Sequence, residues 1–214
     1  MPPVVSIVGF SKVGKTTLVE KLVRELVLRG HRVATIKHAH DASFDSPGKD
    51  SWRHLKAGSS ATALSSPGQL VLLMPRSEEL NVADIEHFFG EEYDLILTEG
   101  FKQADAPKIE VHRRESGPLL NGLTRLVAIA TDERLETEVR QFSLDDVKGL
   151  ADLLESGFIL PNLERISLYV NGKPVVLTDF PRKIITSIML ALVSSLKGIG
   201  VIRSLDIRLR RKPE

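Results

Sequence analysis

The chain has 214 residues, of which 42% are hydrophobic and 27% are charged, a composition typical of globular proteins that excludes disordered and collagen-like chains. The 29 Lys and Arg residues balance the 28 Asp and Glu residues, so no whole-molecule field favours nucleic acid or an anionic membrane as a partner. Cysteine is absent, and the most apolar stretch, residues 184–196, is shorter than the roughly 20 residues of a membrane span. We therefore expect a cytoplasmic protein without disulfides.

Strands and helices are predicted to alternate through residues 4–154. A short apolar run predicts a buried strand at Val4–Val8, and an apolar stripe with helical spacing predicts a helix that begins at Lys15 and ends before Gly30. This alternation predicts an α/β fold with a doubly wound, mostly parallel sheet. The other predicted strands lie at 32–38, 61–65, 70–74, 94–98, 108–112 and 126–130, and the other helices at 50–58, 82–89 and 143–154, the last with a cap at Ser143 and Asp146.

A different pattern begins near Pro161. The dipeptide Asn171-Gly172 between two apolar runs is typical of a tight β-hairpin. The predicted elements form a small ββαβ unit, with strands at 166–170 and 174–177, a helix at 182–196 and a strand at 201–209. We accordingly divide the chain into a nucleotide-binding domain, residues 1–160, and a small C-terminal α+β extension, residues 161–214.

The loop between the first strand and the first helix carries the G-x-x-x-x-G-K-[ST] pattern of a phosphate-binding loop. Its glycines let backbone N–H groups approach phosphate oxygens, Lys15 adds a full positive charge, and the Thr16 hydroxyl can bind Mg²⁺. A Gly-rich turn with an exposed lysine is the alternative, but the flanking strand and helix favour a P-loop NTPase core. The predicted nucleotide contacts are Gly9, Ser11, Lys12, Val13, Gly14, Lys15, Thr16 and Thr17.

A carboxylate is expected near the metal ion, and the predicted strand at 94–98 offers Asp94 at its start and Glu99 just after its end. Parallel strands end at the sheet edge that carries the phosphate loop, and five residues at ~3.3 Å each leave Asp94 about 16 Å away. We therefore select Glu99 as the catalytic residue, which binds Mg²⁺ or positions water. Gly100 behind it would lie close to the outermost phosphate. The alternative for Glu99 is an ordinary loop carboxylate.

Two further strand ends carry polar side chains. His38 and His40 follow the second strand, where a hydrogen-bonded or substrate-contacting role is favoured over a transition-metal site because no third ligand has a recognisable spacing. Asp132 follows the strand at 126–130, where its carboxylate could accept hydrogen bonds from guanine N1 and N2. We hypothesise a preference for GTP through Asp132, with a helix-cap or loop role as the alternative.

Two segments, Pro47-Gly48-Lys49-Asp50-Ser51 and Glu99-Gly100-Phe101-Lys102, occur in this order between the phosphate loop and residue 113. With Lys37-His38-x-His40, Arg53, Ala57-Gly58 and Pro107-Lys108-Ile109-Glu110-x-x-Arg113, they make residues 3–155 resemble the MobB family of molybdopterin-guanine dinucleotide biosynthesis adaptors. The phosphate loop contributes little to this resemblance because a very large superfamily shares it.

The resemblance implies a dimeric GTP-binding protein, related to metallochaperone GTPases, that assists the guanylyltransferase MobA in attaching GMP to molybdopterin. Related dimeric ATPases use an extra lysine near the start of the loop, but Phe10 stands at that position here, so Lys12 does not inherit this role. We expect slow hydrolysis because no arginine finger is recognisable. The residues assigned to molybdopterin or to the partner enzyme are His38, His40, Lys49, Asp50, Arg53 and Lys102.

Two other functions remain open at this point. A small-molecule kinase on the same scaffold would need arginines that clamp the transferred phosphate, and the candidates are Arg53, Arg113 and Arg114. A nucleotide-binding module, such as a metallochaperone, would use its nucleotide only structurally. Turnover assays with and without an acceptor would separate these functions.

Overall fold

A computed structural model describes residues 1–39, 46–171 and 173–209. Its centre is a six-stranded sheet in which all five neighbouring pairs are parallel, with the strand order β2-β5-β1-β6-β7-β8. The predicted doubly wound parallel sheet is therefore confirmed. The six strands are β1 (Val4–Val8), β2 (Val33–Lys37), β5 (Leu95–Glu99), β6 (Lys108–His112), β7 (Leu126–Thr131) and β8 (Gln141–Ser143).

One face of the sheet packs against helices α1 (Lys15–Leu28) and α4 (Val147–Leu154). Leu22 and Leu26 of α1 are completely buried, and so are Leu150 and Leu154 of α4. They form one cluster with inward-facing residues of β1, β5, β6 and β7. This cluster is the main core, and it fixes α1 behind the loop that leads into it.

The opposite face of the sheet is covered near β2 and β5 by the short helix α3 (Val82–Glu86) and the residues that follow it. Ala34, Ile36 and Ile96 are buried there against Ile85 and other partly buried side chains. Asn81 caps α3, because its side chain accepts a hydrogen bond from the backbone N–H of Asp84. The sheet therefore has helices on both faces, as a doubly wound fold requires.

Two predicted strands lie outside the main sheet. β3 (Thr62–Ser66) and β4 (Gln69–Leu73) pair with each other in an antiparallel hairpin. The helix α2 (Asp50–Lys56) precedes this hairpin and packs against β3. Leu70 and Leu72 on the hairpin are exposed.

The start of α4 differs from the prediction. Residues 141–143 form the edge strand β8, which the sequence analysis did not predict, and Ser143 ends this strand. The helix cap is Asp146, whose side chain accepts a hydrogen bond from the Gly149 N–H at 3.0 Å. The predicted helix start at Ser143 is therefore wrong, because Ser143 pairs with Thr131 in the sheet.

The C-terminal unit contains the antiparallel strands β9 (Leu168–Val170) and β10 (Lys173–Val175) and the helix α5 (Asp179–Ser194). Residues 201–209 lie in the described part of the chain but form no strand, so the predicted final strand is wrong and the unit is ββα. The turn position Gly172 lies outside the described residues. The division of the chain at residue 160 stays a prediction.

The C-terminal unit is attached to the main domain by polar contacts. The Arg165 guanidinium donates to the Glu91 carboxylate at 2.5 Å and to the Tyr93 carbonyl at 2.5 Å. None of the sixteen residues of α5, all of which are described, is buried. In the described parts of the chain, every helix is too short or too polar to cross a membrane.

Arg29, which follows the last residue of α1, connects this helix to α4. Its guanidinium donates to Asp152 at 2.6 Å and to Glu155 at 2.9 Å. Hydrogen bonds from His31 and from Arg29 hold the pKa of Glu155 below its ordinary value. A carboxylate with a lowered folded-state pKa stabilises the fold above its unfolded-state pKa, and this contribution is lost as the pH falls through the folded-state value.

We expect Arg29→Ala to lower the free energy of unfolding by about 1–2 kcal/mol at pH 7. The difference from the wild type should shrink as the pH falls below the ordinary pKa of a glutamate and Glu155 becomes protonated. Urea denaturation at several pH values measures both effects. Arg24→Ala, which removes an exposed arginine from the same helix, is the control. An equal loss in the two variants would contradict the role of the Arg29 contacts.

Candidate functional site

The phosphate loop leaves β1 at the carboxyl edge of the sheet, between β5 and β6. Gly9 has a φ angle of 151°, and a Cβ atom at this position would lie 2.5 Å from the carbonyl oxygen of Val111. Gly14, just before α1, has a φ angle of 102°. Both glycines are therefore required by the backbone path, because other residues rarely adopt these angles.

Lys15 folds back over its own loop. Its Nζ donates to the carbonyl oxygen of Phe10 at 2.6 Å and lies 3.4 Å from that of Gly9. Partial burial lowers the pKa of Lys15, the Glu99 carboxylate raises it, and Lys102 and Lys37 lower it. These causes indicate that three ammonium groups and one carboxylate share a single electrostatic environment at the loop.

Thr16 and Glu99 meet at the mouth of the loop. The Thr16 hydroxyl donates to Glu99 Oε1 at 2.8 Å, and the Lys37 ammonium lies 3.4 Å from Glu99 Oε2. The side chain of Glu99 is only 15% exposed. A hydroxyl and a carboxylate are hard oxygen donors of the kind that Mg²⁺ binds together with phosphates and water, so this pair fits the ion.

Asp94 lies at the opposite edge of the sheet, as expected. Its Oδ2 accepts a hydrogen bond from the backbone N–H of Arg32 at 2.8 Å, just before β2 begins. Asp94 therefore joins the amino ends of β2 and β5. Of the two carboxylates that flank β5, Glu99 is the one that contacts the phosphate loop.

The segment after Glu99 packs closely on the end of β2. The Gly100 N–H donates to the Ile7 carbonyl at 3.0 Å, and a Cβ atom at Gly100 would lie 3.0 Å from the Cβ of His38. The His38 ring stacks near Phe101, with 4.9 Å between the ring centroids, and hydrogen-bonds to Glu79. Gly100 and His38 are therefore in contact.

His40, the second histidine of the motif, lies outside the described residues. In the described ranges, His, Asp and Glu side chains form no group of three or more that could hold a metal ion.

Asp132 lies at the end of β7 and is engaged by two arginines. Its Oδ1 accepts from the backbone N–H of Arg114 at 2.9 Å, and its Oδ2 lies 3.4 Å from the Arg113 guanidinium. The backbone hydrogen bond, with smaller contributions from the arginine and His112 charges, lowers the pKa of Asp132. A cavity of about 460 Å³ is lined by Arg113, Arg114, Glu115 and Asp132.

Arg113 also contacts the phosphate loop, which the sequence analysis did not predict. Its Nε donates to the Val13 carbonyl at 3.0 Å. This bond engages one carbonyl oxygen of the loop, whereas the backbone N–H groups of such a loop are the donors for an anion. Lys37 is the second residue that the sequence analysis did not assign to the site. Two signals could have found it, its place at the carboxyl end of β2 and its position in the Lys37-His38-x-His40 motif of the family resemblance.

The residues assigned to a substrate or a partner lie in two places. Lys49 and Asp50 mark the start of α2, and Arg53 on the same helix lies 3.5 Å from the Asp50 carboxylate. Arg53 and Asp50 are both largely exposed. Lys102 lies instead beside the phosphate loop, where its ammonium is 5.4 Å from the centre of the Phe10 ring. The structure therefore places Lys102 beside the phosphate loop rather than beside α2.

Comparison with known proteins identifies the family of this chain. Residues 4–132 match the family model for MobB, described as molybdopterin guanine dinucleotide synthesis protein B. The chain belongs to the MobB family. A molybdopterin-guanine dinucleotide biosynthesis adapter protein from Haemophilus influenzae is 37% identical over 157 residues, which cover 72% of this chain and 88% of that protein. A protein of the same name from Escherichia coli is 37% identical over 161 residues, which cover 72% of this chain and 92% of that protein.

A solved structure supports the same relationship. The crystal structure of a molybdopterin-guanine biosynthesis protein B matches with a TM-score of 0.60 and 31% identity, covering 72% of this chain and 99% of that chain. The fold expected from the MobB resemblance is therefore confirmed.

Substitution of Gly9 tests the geometry of the phosphate loop. Gly9→Ala should lower the free energy of unfolding by about 2–4 kcal/mol. The alanine Cβ would clash with the Val111 carbonyl oxygen, and alanine rarely adopts the positive φ angle of this position. Gly30→Ala is the matched control, since Gly30 also has a positive φ of 91° but no atom within 4 Å of a Cβ. Thermal or urea denaturation measures the difference, and equal losses would show that the Val111 contact is unimportant.

Proposed function

We propose that this chain is a GTP-binding adapter in molybdopterin guanine dinucleotide biosynthesis. In this proposal it binds GTP with Mg²⁺, hydrolyses it slowly and assists the enzyme that attaches GMP to molybdopterin. The observation that carries the proposal is the 2.8 Å hydrogen bond between Thr16 and Glu99 at the mouth of a phosphate loop, in a chain of the MobB family. The homodimer implied by the family resemblance stays a prediction.

The residues of the loop have separate roles in this proposal. The backbone N–H groups from Gly9 to Thr17 bind the phosphates. The Lys15 ammonium leaves the Phe10 carbonyl and donates to phosphate oxygens instead. Thr16 and Glu99 would hold Mg²⁺, which would supply positive charge against the phosphates. Glu99 also orients the attacking water, and its low exposure of 15% keeps the carboxylate in one position. Gly100 lies next to the outermost phosphate.

Slow hydrolysis agrees with the positions of the arginines. Arg113 is bonded to Val13 and Asp132, and Arg114 is bonded to Glu133 at 3.2 Å. These contacts give both guanidinium groups partners other than Thr16 and Glu99. Without an arginine that stabilises the transition-state charge, a P-loop protein hydrolyses slowly. The same contacts occupy Arg113 and Arg114, two of the three arginines that a small-molecule kinase would use to clamp the transferred phosphate.

The base is proposed to be guanine, bound in the cavity beside Asp132. That cavity, about 460 Å³, lies within the usual range for small-molecule sites. The lowered pKa of Asp132 keeps the carboxylate ionised, and an ionised carboxylate accepts hydrogen bonds from the N1 and N2 groups of guanine. Equal affinities for GTP and ATP would contradict this assignment.

The decisive experiment measures nucleotide binding and hydrolysis in two site variants. Lys15→Ala should weaken GTP binding at least about 100-fold, or ~2.7 kcal/mol, because the loop loses its full positive charge. Glu99→Gln should leave GTP affinity within about fivefold and reduce hydrolysis about 10-fold to 100-fold, because the lost charge acts on Mg²⁺ and water. Isothermal titration and phosphate release provide the two measurements.

Two control variants make the result specific. Lys21 lies on α1, as Lys15 does, and its ammonium donates to Asp145 at 2.9 Å. Lys21→Ala should leave GTP affinity unchanged. Asp94→Asn should leave hydrolysis unchanged, since Asp94 lies at the other edge of the sheet. Wild-type affinity in Lys15→Ala would reject the phosphate-loop assignment. Loss of hydrolysis in Asp94→Asn but not in Glu99→Gln would reject Glu99.

The exposed cations of α2 are proposed to bind molybdopterin or the partner enzyme rather than GTP. The double variant Lys49→Ala with Arg53→Ala should weaken binding of molybdopterin or of the nucleotidyltransferase, and GTP affinity should change less than about threefold, or ~0.6 kcal/mol. Lys148→Ala with Arg203→Ala removes the same charge from other exposed positions and is the control. Loss of GTP binding would instead place α2 in the nucleotide site.

A further inference from the structure

The Glu99 carboxylate has two partners in the described structure, one for each oxygen. Oε1 accepts the hydroxyl hydrogen of Thr16 at 2.8 Å, and Oε2 lies 3.4 Å from the ammonium of Lys37. Lys37 therefore supplies positive charge at the same carboxylate that, with Thr16, is proposed to hold the metal ion. The ammonium compensates the charge of a side chain that is only 15% exposed.

The backbone holds Lys37 opposite Glu99. The two residues are partners in the parallel register of β2 and β5, and the His38 N–H donates to the Glu99 carbonyl at 3.0 Å. The Lys37 side chain itself is 63% exposed and borders an open cavity of about 580 Å³ that Thr16 and Glu99 also line. The backbone of Lys37 is thus fixed at the site, whereas its ammonium group has space to move to another partner.

We propose that Lys37 is the counter-ion of Glu99 in the metal-free chain and becomes a ligand of the outermost phosphate when a divalent cation takes its place. A divalent cation bound to both Thr16 and Glu99 repels the ammonium and removes its partner. A nucleoside triphosphate would offer its outermost phosphate as an alternative anion, whereas a diphosphate lacks that group. Lys37 then links metal binding to recognition of the third phosphate, as a positioning residue for Glu99 and a contact of the nucleotide.

The first part of this proposal does not depend on nucleotide binding and is tested without it. Mn²⁺, used as a paramagnetic probe in place of Mg²⁺, is titrated into the nucleotide-free protein and followed by electron paramagnetic resonance. Lys37→Ala should bind Mn²⁺ about fivefold more tightly than the wild type, because the competing ammonium is gone. Lys37→Arg and the control Lys21→Ala should bind Mn²⁺ as the wild type does.

The second part rests on the proposed function and is tested by comparing GTP with GDP, both in the presence of Mg²⁺. The ratio of the two affinities should fall about 10-fold in Lys37→Ala and be largely retained in Lys37→Arg, whereas Lys21→Ala should keep the wild-type ratio. Circular dichroism melts verify that the variants are folded, which the high exposure of Lys37 favours.

The two arms fail separately. Equal Mn²⁺ affinity in Lys37→Ala and Lys21→Ala, or no Mn²⁺ binding in any of the proteins, would overturn the counter-ion role. An unchanged ratio of GTP to GDP affinity in Lys37→Ala would overturn the phosphate contact. A wild-type chain that binds Mn²⁺ but no GTP would reject both the proposed function and the phosphate contact, while the Mn²⁺ titration would still decide the counter-ion role.

Discussion

The candidate site depends on the parallel pairing of β1 with β5 on one side and with β6 on the other. Ile7 is the register partner of Glu99, and Val8 is that of Glu110. Because of this alignment, Glu99 at the end of β5 meets Thr16 at the start of α1. On the other side, Arg113, which follows β6, reaches the Val13 carbonyl in the phosphate loop. A shift of one residue in either pair would turn these side chains to the opposite face of the sheet.

Much of this arrangement could be predicted from the sequence, because local signals specify it. Short apolar runs mark the central strands, and the phosphate-loop motif between a strand and a helix defines the carboxyl edge. The choice of Glu99 over Asp94 followed from strand length and edge geometry alone. The structure brings Glu99 to Thr16 and Asp94 to Arg32, which agrees with that reasoning. The roles of both residues in nucleotide chemistry stay predictions.

Contacts between distant segments could not be predicted in the same way. The bond from Arg113 to the Val13 carbonyl joins residues 100 positions apart, and β8 contains only three residues, with a glutamine and a serine at its ends. In the C-terminal unit, the alternating pattern of residues 201–209 favours a strand, but alternation alone does not provide a partner strand. Where a pairing partner lies elsewhere in the chain, sequence periodicity does not reveal it.

β6 shows the same limit for buried charge. Lys108, Glu110 and His112 alternate with apolar residues, a pattern usually typical of a half-exposed strand, yet all three are buried. Lys108 donates to the carbonyls of Ala104, Ala106 and Thr124, and burial lowers its pKa. Glu110 accepts from the Leu120 N–H at 2.7 Å, and burial raises its pKa. The loops around β6 therefore cover a face that the sequence pattern assigns to solvent.

The absence of buried residues in α5, all of which is described, has a consequence for how the molecule opens. Amide hydrogen exchange depends on the free energy needed to expose each N–H group, and that energy grows with the apolar surface released on opening. Opening α5 releases little such surface, whereas exposing β1 requires disruption of the central core. The slowest exchange should therefore be confined to the strands that carry the phosphate loop, and α5 should exchange through local opening while that loop remains intact.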